Sequence, residues 1–178
     1  LPKLVWDIKT DFKEAPQGWV KADNQSDLPD ESGHYVGWVP VDAKRPEDKW
    51  HASAIDFETQ EISLLEPQTL SIVCIKLQDL EGATLELIGP KINANPYKFP
   101  NNAPHVYVKH GSITFNNPVP MQFDLLKQWF ENDEEGRVEG VVWWHPIESI
   151  MFKVHRHHVG LPWPIEKPRL VGSTLQTK

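Results

Sequence analysis

The sequence predicts an α+β fold with mostly antiparallel sheets and few helices. Segments rich in branched and aromatic residues, bounded by turn formers, outnumber segments with helical periodicity. The length of 178 residues fits one domain, and 16 Pro with 10 Gly indicate a chain rich in loops. Nothing repeats at a fixed period and no tract is compositionally simple. We therefore treat residues 1–178 as a single domain.

The first elements are strands that follow an irregular start. Residues 1–33 are polar and interrupted by Pro16, Pro29 and Gly33, which predicts a segment that wraps the surface without regular structure. Strands rich in branched residues are then predicted at His34–Val41, Leu70–Leu77 and Thr84–Ile88. Val106–Phe115 predicts two short strands hinged at Gly111.

One helix is predicted, over Met121–Glu131. Leu125 with Trp129, and Leu126 with Phe130, lie four residues apart and form one buried stripe. Two further strands follow, Val138–Trp144 and Ile150–Val154, separated by a turn-like segment.

These last two strands predict a hairpin that places two opposite charges together. A turn centred near residue 146 or 147 brings Glu139 opposite Lys153 to within one position. Residues directly opposite each other in such a pair lie about 5 Å apart. An ordinary structural ion pair is the alternative to a functional one.

Composition restricts the class of protein. Apolar runs such as Ile72–Ile75 are far shorter than the roughly 20 residues that cross a bilayer. The single cysteine, Cys74, excludes an intrachain disulfide and a zinc site built from several cysteines, and favours a reducing, intracellular location in the cytoplasm or nucleus. Because the sequence begins at Leu1 without Met or a secretory signal, we expect it to start inside a longer reading frame.

Charge is unevenly distributed along the chain. The net charge is −7 overall, with −11 in residues 1–150 and +4 in residues 151–178, where three histidines also lie. The carboxyl-terminal part is therefore the expected place for phosphate contacts, and RNA binding through such a local basic surface should fall steeply with salt.

Several phrases of the sequence resemble a known enzyme family. Val138–Trp143 followed by Met151–Val154 resembles the fourth and fifth motifs of the covalent nucleotidyltransferases, the superfamily of ATP-dependent ligases and RNA capping enzymes. Thr84–Gly89 with Asn93–Tyr97 is similar to the third motif. A narrower resemblance, to the vertebrate-type ATP-dependent 5′-to-3′ RNA ligases, extends across nearly the whole chain. It is carried by the phrases Asp11–Pro16, Gly37–Val41, Trp50-His51, Thr84–Tyr97, Lys153–His158 and Gly160–Pro164.

The resemblance implies a fold, an activity and a set of roles. The chain would be the latter part of a nucleotidyltransferase (ATP-grasp-like ligase) domain that joins RNA 5′-phosphate and 3′-hydroxyl ends through lysyl-AMP and RNA-adenylate. ATP and Mg²⁺ or Mn²⁺ would be required. Glu139 would support the catalytic metal, Lys153 would hold the α-phosphate, and Glu86 would bind a ribose hydroxyl. Tyr107 and His110 are the two candidates for stacking on adenine.

The family's nucleophile has no counterpart in the sequence. That motif is Lys-x-Asp-Gly, and the nearest string is Lys21-Ala22-Asp23-Asn24. Lys21 follows the Asp11-Phe12-Lys13 phrase, whereas the family's nucleophile precedes it. We therefore expect the lysine to lie upstream of Leu1 and this chain alone to be inactive.

The basic segment after Lys153 has several interpretations. His155, Arg156 and His157 are predicted to contact RNA or phosphate because positive charge is locally in excess, and solvated residues at a strand end are the lesser alternative. His155 occupies a slot where many ligases carry a second lysine, so its role in phosphate binding stays open. A zinc site that includes His158 would require a bend, because strand alternation separates it from His155 and His157.

Two hypotheses about function follow. The first is an ATP-dependent RNA ligase. The second is a catalytically silent module of the same fold that binds nucleotide or RNA through Glu86, Lys153 and the basic segment.

Overall fold

The computed structural model describes residues 2–8, 15–22, 33–66, 69–115, 117–145, 147–148, 150–171 and 173–174. The strands are β1 (Pro2–Ile8), β2 (Val20–Lys21), β3 (His34–Pro40), β4 (Ile55–Asp56), β5 (Glu61–Glu66), β6 (Ser71–Lys76), β7 (Leu85–Ile88), β8 (Val106–Lys109), β9 (Gly140–His145), β10 (Ile150–His155), β11 (Arg169–Val171) and β12 (Ser173–Thr174). The helices are α1 (Lys49–Ala52) and α2 (Phe123–Asn132). Short 3₁₀ turns occupy Pro46–Asp48, Leu77–Leu80 and Arg156–Val159. These elements confirm an α+β fold with few helices.

Four groups of strands make up the sheets of the described residues. β3 lies between β1 and β2, and the central five-stranded sheet has the order β4-β5-β8-β7 with β6 on the other edge of β5. β9 pairs with β10, and β11 pairs with β12. Every pairing is antiparallel except β5 with β8, which is parallel at Leu64 and Tyr107. The expectation of mostly antiparallel sheets is therefore confirmed.

The amino-terminal prediction is wrong at Pro2–Ile8 and Val20–Lys21, whereas residues 15–19 are in no helix or strand. Pro2–Ile8 is a seven-residue strand paired along its whole length with β3, not an irregular segment. Val20–Lys21 adds a short strand to the other edge of β3. Proline at the first strand position is tolerated because a missing N–H costs little there. Residues 9–14 and 23–32, including the Asp11-Phe12-Lys13 phrase, lie outside the described residues.

The central strand of the main sheet was not expected from the sequence. In β5, Ile62, Leu64 and Leu65 are all buried, so the strand is covered on both faces and lacks a clean alternation of apolar and polar residues. At β8 only one strand forms, because Ser112–Phe115 after the hinge at Gly111 are not in a strand.

The helix is confirmed with one change. Leu126, Trp129 and Phe130 of α2 are buried, and Phe130 is 1% exposed, but Leu125 is 47% exposed. The buried face packs with Val138, Val141 and Val159, which ties α2 to the β9–β10 hairpin and the 3₁₀ turn after it.

Candidate functional site

The β9–β10 hairpin has a register different from the one predicted. Its closing pair is His145 and Ile150, so Lys153 lies opposite Val142 rather than opposite Glu139. Glu139 precedes β9, and its backbone carbonyl accepts a hydrogen bond of 2.9 Å from the N–H of Arg156. The predicted pairing is wrong because the turn is centred between residues 147 and 148, and each one-residue shift of a turn moves the partners by two.

Glu139 and Lys153 nevertheless both influence the pKa of one residue, Glu86. The pKa of Glu86 is raised, first by burial of its carboxyl group and then by repulsion from Glu139, while Lys153 lowers it. Glu86 lies in β7, the edge strand of the main sheet. The structure therefore brings the three predicted residues into one electrostatic neighbourhood, although two of them are not cross-strand partners.

Glu86 and Glu139 line a cavity of about 300 Å³. Its remaining walls come from the end of β7, the segment after it and the segment after the 3₁₀ turn: Ile88, Gly89, Ile92, Asn93, Pro96, Tyr97, Trp163 and Pro164. The lining thus combines two acidic side chains with aromatic and aliphatic ones. Burial, and to a smaller extent nearness to Glu86 and Glu139, raises the pKa of Tyr97. Ligand sites commonly combine apolar walls with a few placed polar groups in this way.

The loop after β7 is shaped by unusual backbone angles. Gly89 has φ +152°, and a Cβ there would lie 2.5 Å from Cδ2 of His105. Asn93, Ala94 and Asn95 all have positive φ. Asn95 then closes the loop, because its amide donates to the carbonyl of Phe99 and its side-chain oxygen accepts from the Phe99 N–H, both at 2.8 Å. Such angles persist only where surrounding contacts hold them.

The two candidates for base stacking differ in their surroundings. Tyr107 is 3% exposed within the main core cluster, and its hydroxyl donates to the carbonyl of His51 at 3.1 Å. Its ring faces are covered by core packing, so stacking by Tyr107 is corrected to a structural role. His110 is exposed, with Nδ1 at 2.8 Å from Oγ1 of Thr84, and burial and Lys153 lower its pKa.

Arg156 was predicted to contact RNA or phosphate, but the structure places it in the interior. It is 5% exposed. Its guanidinium donates to the carbonyls of Phe130 at 2.9 Å, Gly136 at 2.8 Å and Pro162 at 3.0 Å. The prediction failed because β10 ends at His155 and the chain turns inward. Arg156 therefore joins α2 to the segment that carries Trp163.

The three histidines converge at this turn, which the expectation of a continuing strand did not allow. Ring centroids lie 5.2 Å apart for His155 and His157 and 4.1 Å apart for His157 and His158. Nδ1 of His155 lies 3.5 Å from a carboxylate oxygen of Glu139. Burial lowers the pKa of His155, with smaller contributions from Lys153 and its histidine neighbours. Within the described ranges, no group of three His, Cys, Asp or Glu side chains is arranged to hold a metal ion.

The carboxylates suit a cation that is held partly by substrate. Mg²⁺ is usually bound through one or two carboxylates together with phosphate oxygens rather than by a full set of protein ligands. Glu139 and Glu86 supply that number of carboxylates at one cavity. The donor set therefore fits Mg²⁺ or Mn²⁺ in the presence of a nucleotide.

Lys21 lies in β2, beside β3 in a separate sheet, and is not one of the residues that line the cavity. Trp163, to which the sequence alone gives no role, lies in the wall of the cavity. In the described part of the chain, no helix has the length and apolarity needed to cross a membrane.

Comparison with known proteins gives a consistent result. The family model for RNA ligase 1 matches residues 2–176. RNA ligase 1 of Danio rerio is 40% identical over 174 residues, which cover 91% of this chain and 53% of the relative. RNA ligase 1 of Pongo abelii is 39% identical over 92% of this chain and 54% of the relative, and that of Rattus norvegicus is 38% identical over 96% and 58%. The chain therefore spans a little over half the length of these relatives.

Proposed function

Because the chain belongs to the RNA ligase 1 family, we propose that it contributes the nucleotide-binding part of an ATP-dependent RNA ligase. The full-length protein would join an RNA 5′-phosphate to a 3′-hydroxyl. The observation that carries the proposal is the cavity with Glu86 and Glu139 in its wall and Lys153 within electrostatic reach of Glu86. If Glu86, Glu139 and Lys153 lay in different parts of the molecule, the proposal would have no structural support.

Each group has a distinct role in this proposal. Glu86 accepts a hydrogen bond from a ribose hydroxyl of ATP, and the exposed ammonium group of Lys153 pairs with the α-phosphate. Glu139 holds the divalent cation, which when bound offsets phosphate charge. Burial and then Lys153 lower the pKa of His110, so His110 would lie near the phosphate that Lys153 holds. Positioning and neutralisation of charge supply most of the rate in phosphoryl transfer.

The reaction has three steps that balance. A lysine amine supplied from outside this chain attacks the α-phosphorus of ATP, a P–N bond forms, and pyrophosphate leaves. An oxygen of the RNA 5′-phosphate then attacks the same phosphorus, which breaks the P–N bond and gives RNA-adenylate. The 3′-hydroxyl of the second end attacks the RNA 5′-phosphorus, and AMP leaves as the proton of the hydroxyl is lost. Lys153 offsets negative charge at the α-phosphorus in the first two steps.

A silent nucleotide- or RNA-binding module is the second candidate. It is favoured by one sequence observation, the absence of Lys-x-Asp-Gly from the 178 residues. The two candidates differ in covalent chemistry, because only the ligase acquires AMP from ATP on a lysine.

The deciding experiment is incubation of the full-length protein with α-labelled ATP and Mg²⁺, followed by denaturing electrophoresis. We expect a labelled band, and we expect Lys153→Ala to abolish it because the phosphate loses its charged partner. Lys44→Ala, which removes an exposed lysine from the loop after β3, is the matched control and should label normally. ATP binding without any labelled band would favour the silent module, and normal labelling of Lys153→Ala would remove Lys153 from the site.

A further inference from the structure

Two aromatic rings form a corner in the cavity. The centroids of Tyr97 and Trp163 lie 5.9 Å apart, and the ring planes are inclined at 66°. Because the rings meet edge to face, Trp163 and Tyr97 do not stack face to face on one another. Both residues line the cavity, and Trp163 is only partly buried. The corner therefore offers aromatic surface to a flat ligand.

Both rings are held in place by contacts outside the cavity. Arg156 donates to the carbonyl of Pro162, directly before Trp163, and the N–H of Leu161 returns a bond of 3.0 Å to the Arg156 carbonyl. Tyr97 is packed against Phe99 with centroids 6.5 Å apart, and Phe99 is fixed by the Asn95 side chain. The corner is thus built before a ligand arrives, which reduces the entropy lost on binding.

The rest of the cavity sets the orientation of a nucleotide. Its volume of about 300 Å³ is at the lower end of the range for ligand pockets, roughly 300–1,000 Å³. A base and its ribose occupy such a space, whereas a triphosphate must extend beyond it. Glu86 repels phosphate but accepts a hydrogen bond from a sugar hydroxyl, and Glu139 is occupied by the cation in the proposed function, so the apolar corner is left for the base.

We propose that Trp163, with Tyr97 beside it, is the residue on which the nucleobase stacks, and that it gives the cavity its affinity for base-containing ligands. This inference rests on the proposed function, because it takes the ligand to be a ribonucleotide. It replaces Tyr107, whose ring lies in the core, and it assigns His110 to the phosphate side. Arg156 acts as a positioning residue through Pro162 and does not touch the ligand.

The test compares ATP with an abasic ribose 5-triphosphate, which keeps the sugar and phosphates but lacks the base. Dissociation constants are measured by calorimetry for the full-length protein with Mg²⁺. We expect Trp163→Leu to weaken ATP binding by about fivefold to a hundredfold, the range for loss of one stacked base, and to leave binding of the abasic compound unchanged. Trp163→Phe should retain most of the affinity for ATP.

The matched control is Trp144→Leu, since Trp144 is 59% exposed on β9 and does not line the cavity. It should leave both dissociation constants unchanged. Equal weakening of ATP and the abasic compound by Trp163→Leu would overturn the inference in favour of a structural role, as would unchanged ATP binding. If Glu86→Gln weakened binding of both compounds while Trp163→Leu had no effect, the proposed function would survive and this inference would not. An unmodified protein that binds neither compound would overturn both.

Discussion

At the scale of single residues, the two carboxylates of the cavity predict an unusual dependence of stability on pH. Burial and Glu139 raise the pKa of Glu86 above its ordinary value, so the folded state binds a proton more readily than the unfolded state does. Stability from this group is therefore greatest at low pH and is lost as the pH rises from about 4.5 through the folded pKa. We expect Glu86→Gln, which cannot ionise, to gain free energy of unfolding relative to the unmodified protein as the pH rises from 4 to 7, measured by urea denaturation.

Glu139→Gln is the control for that prediction. Glu139→Gln removes the repulsive charge but leaves Glu86 buried. When Glu86→Gln is added to Glu139→Gln, the gain in free energy of unfolding between pH 4 and pH 7 should be smaller than in the unmodified protein. It should not vanish, because burial is the larger cause of the raised pKa of Glu86. A Glu86→Gln variant whose gain was the same at pH 4 and pH 7 would show that Glu86 titrates normally in the folded protein.

Arg156 predicts a different outcome for a charged residue. Arg156→Met keeps the aliphatic length but leaves the carbonyls of Phe130, Gly136 and Pro162 without their donor. Buried groups without partners cost about 1–3 kcal/mol each, so the free energy of unfolding should fall by at least about 2 kcal/mol. Lys153→Met, which replaces an exposed cation in the middle of β10, should change it by only about 0.5 kcal/mol or less. Retained stability with lost RNA affinity in Arg156→Met would restore the phosphate role that the sequence suggested.

At the scale of elements, the loop after β7 is the part most sensitive to a small change. Gly89→Ala would place a methyl group 2.5 Å from the ring of His105, in a backbone conformation that L residues rarely adopt. His105 cannot easily yield, because its ring lies 4.8 Å from the Trp50 ring and its Nδ1 is 3.3 Å from Oγ of Ser53. We expect a loss of roughly 2 kcal/mol or more in the free energy of unfolding, from strain and overpacking together.

Gly82→Ala is the matched control, measured by the same urea denaturation. Gly82 also has positive φ, at +75°, but a Cβ there would have open space around it. Its cost should be limited to backbone conformation, about 1–2 kcal/mol. If Gly82→Ala proved as destabilising as Gly89→Ala, contact with His105 would not be what requires glycine at position 89.

Some helices and strands could be predicted from the sequence, and others could not. Helix α2 was predictable because Leu126 and Phe130 repeat with the helical period, and β3 because branched and aromatic residues are bounded by turn formers. β5 was not, since burial on both faces erases the alternation that marks a strand. The hairpin was predicted but its register was not, because register depends on where the turn closes.

The site divides in the same way. Glu86 and Glu139 could be predicted from a resemblance of short sequence motifs, which needs no knowledge of tertiary contacts, and both line the cavity. Trp163 could not be assigned from the sequence, because its place in the cavity depends on a hydrogen bond between Arg156 and Pro162. Arg156 was misassigned for the complementary reason: a charged residue in a basic segment looks exposed until the turn that buries it is seen.

At the scale of the whole molecule, burial reduces the basic surface that the sequence suggests. Five lysines and arginines lie in residues 151–178. Arg156 and Arg169 are 5% and 7% exposed, and Lys178 lies outside the described residues. Lys153 and Lys167 are exposed. His155 adds little positive charge at neutral pH, since burial lowers its pKa. With a net charge of −7, these 178 residues on average repel RNA, so any attraction depends on a few local cations.

The small number of exposed lysines predicts how much each of these side chains contributes to the salt dependence of RNA binding. Each lysine that contacts a phosphate of single-stranded RNA contributes about −0.7 to the slope of log K against log salt concentration. Lys153→Ala should therefore make the slope about 0.7 shallower in the full-length protein, measured by fluorescence anisotropy with a 5′-phosphorylated RNA between 50 and 200 mM salt, roughly the range over which counterion release is resolved. Lys44→Ala, distant in sequence from the basic segment, should leave the slope unchanged. Arg156→Met should also leave it unchanged where the variant is folded, because the guanidinium is buried and held by three backbone carbonyls. An unchanged slope in Lys153→Ala would mean that this lysine meets ATP alone, and that RNA is bound by other cations.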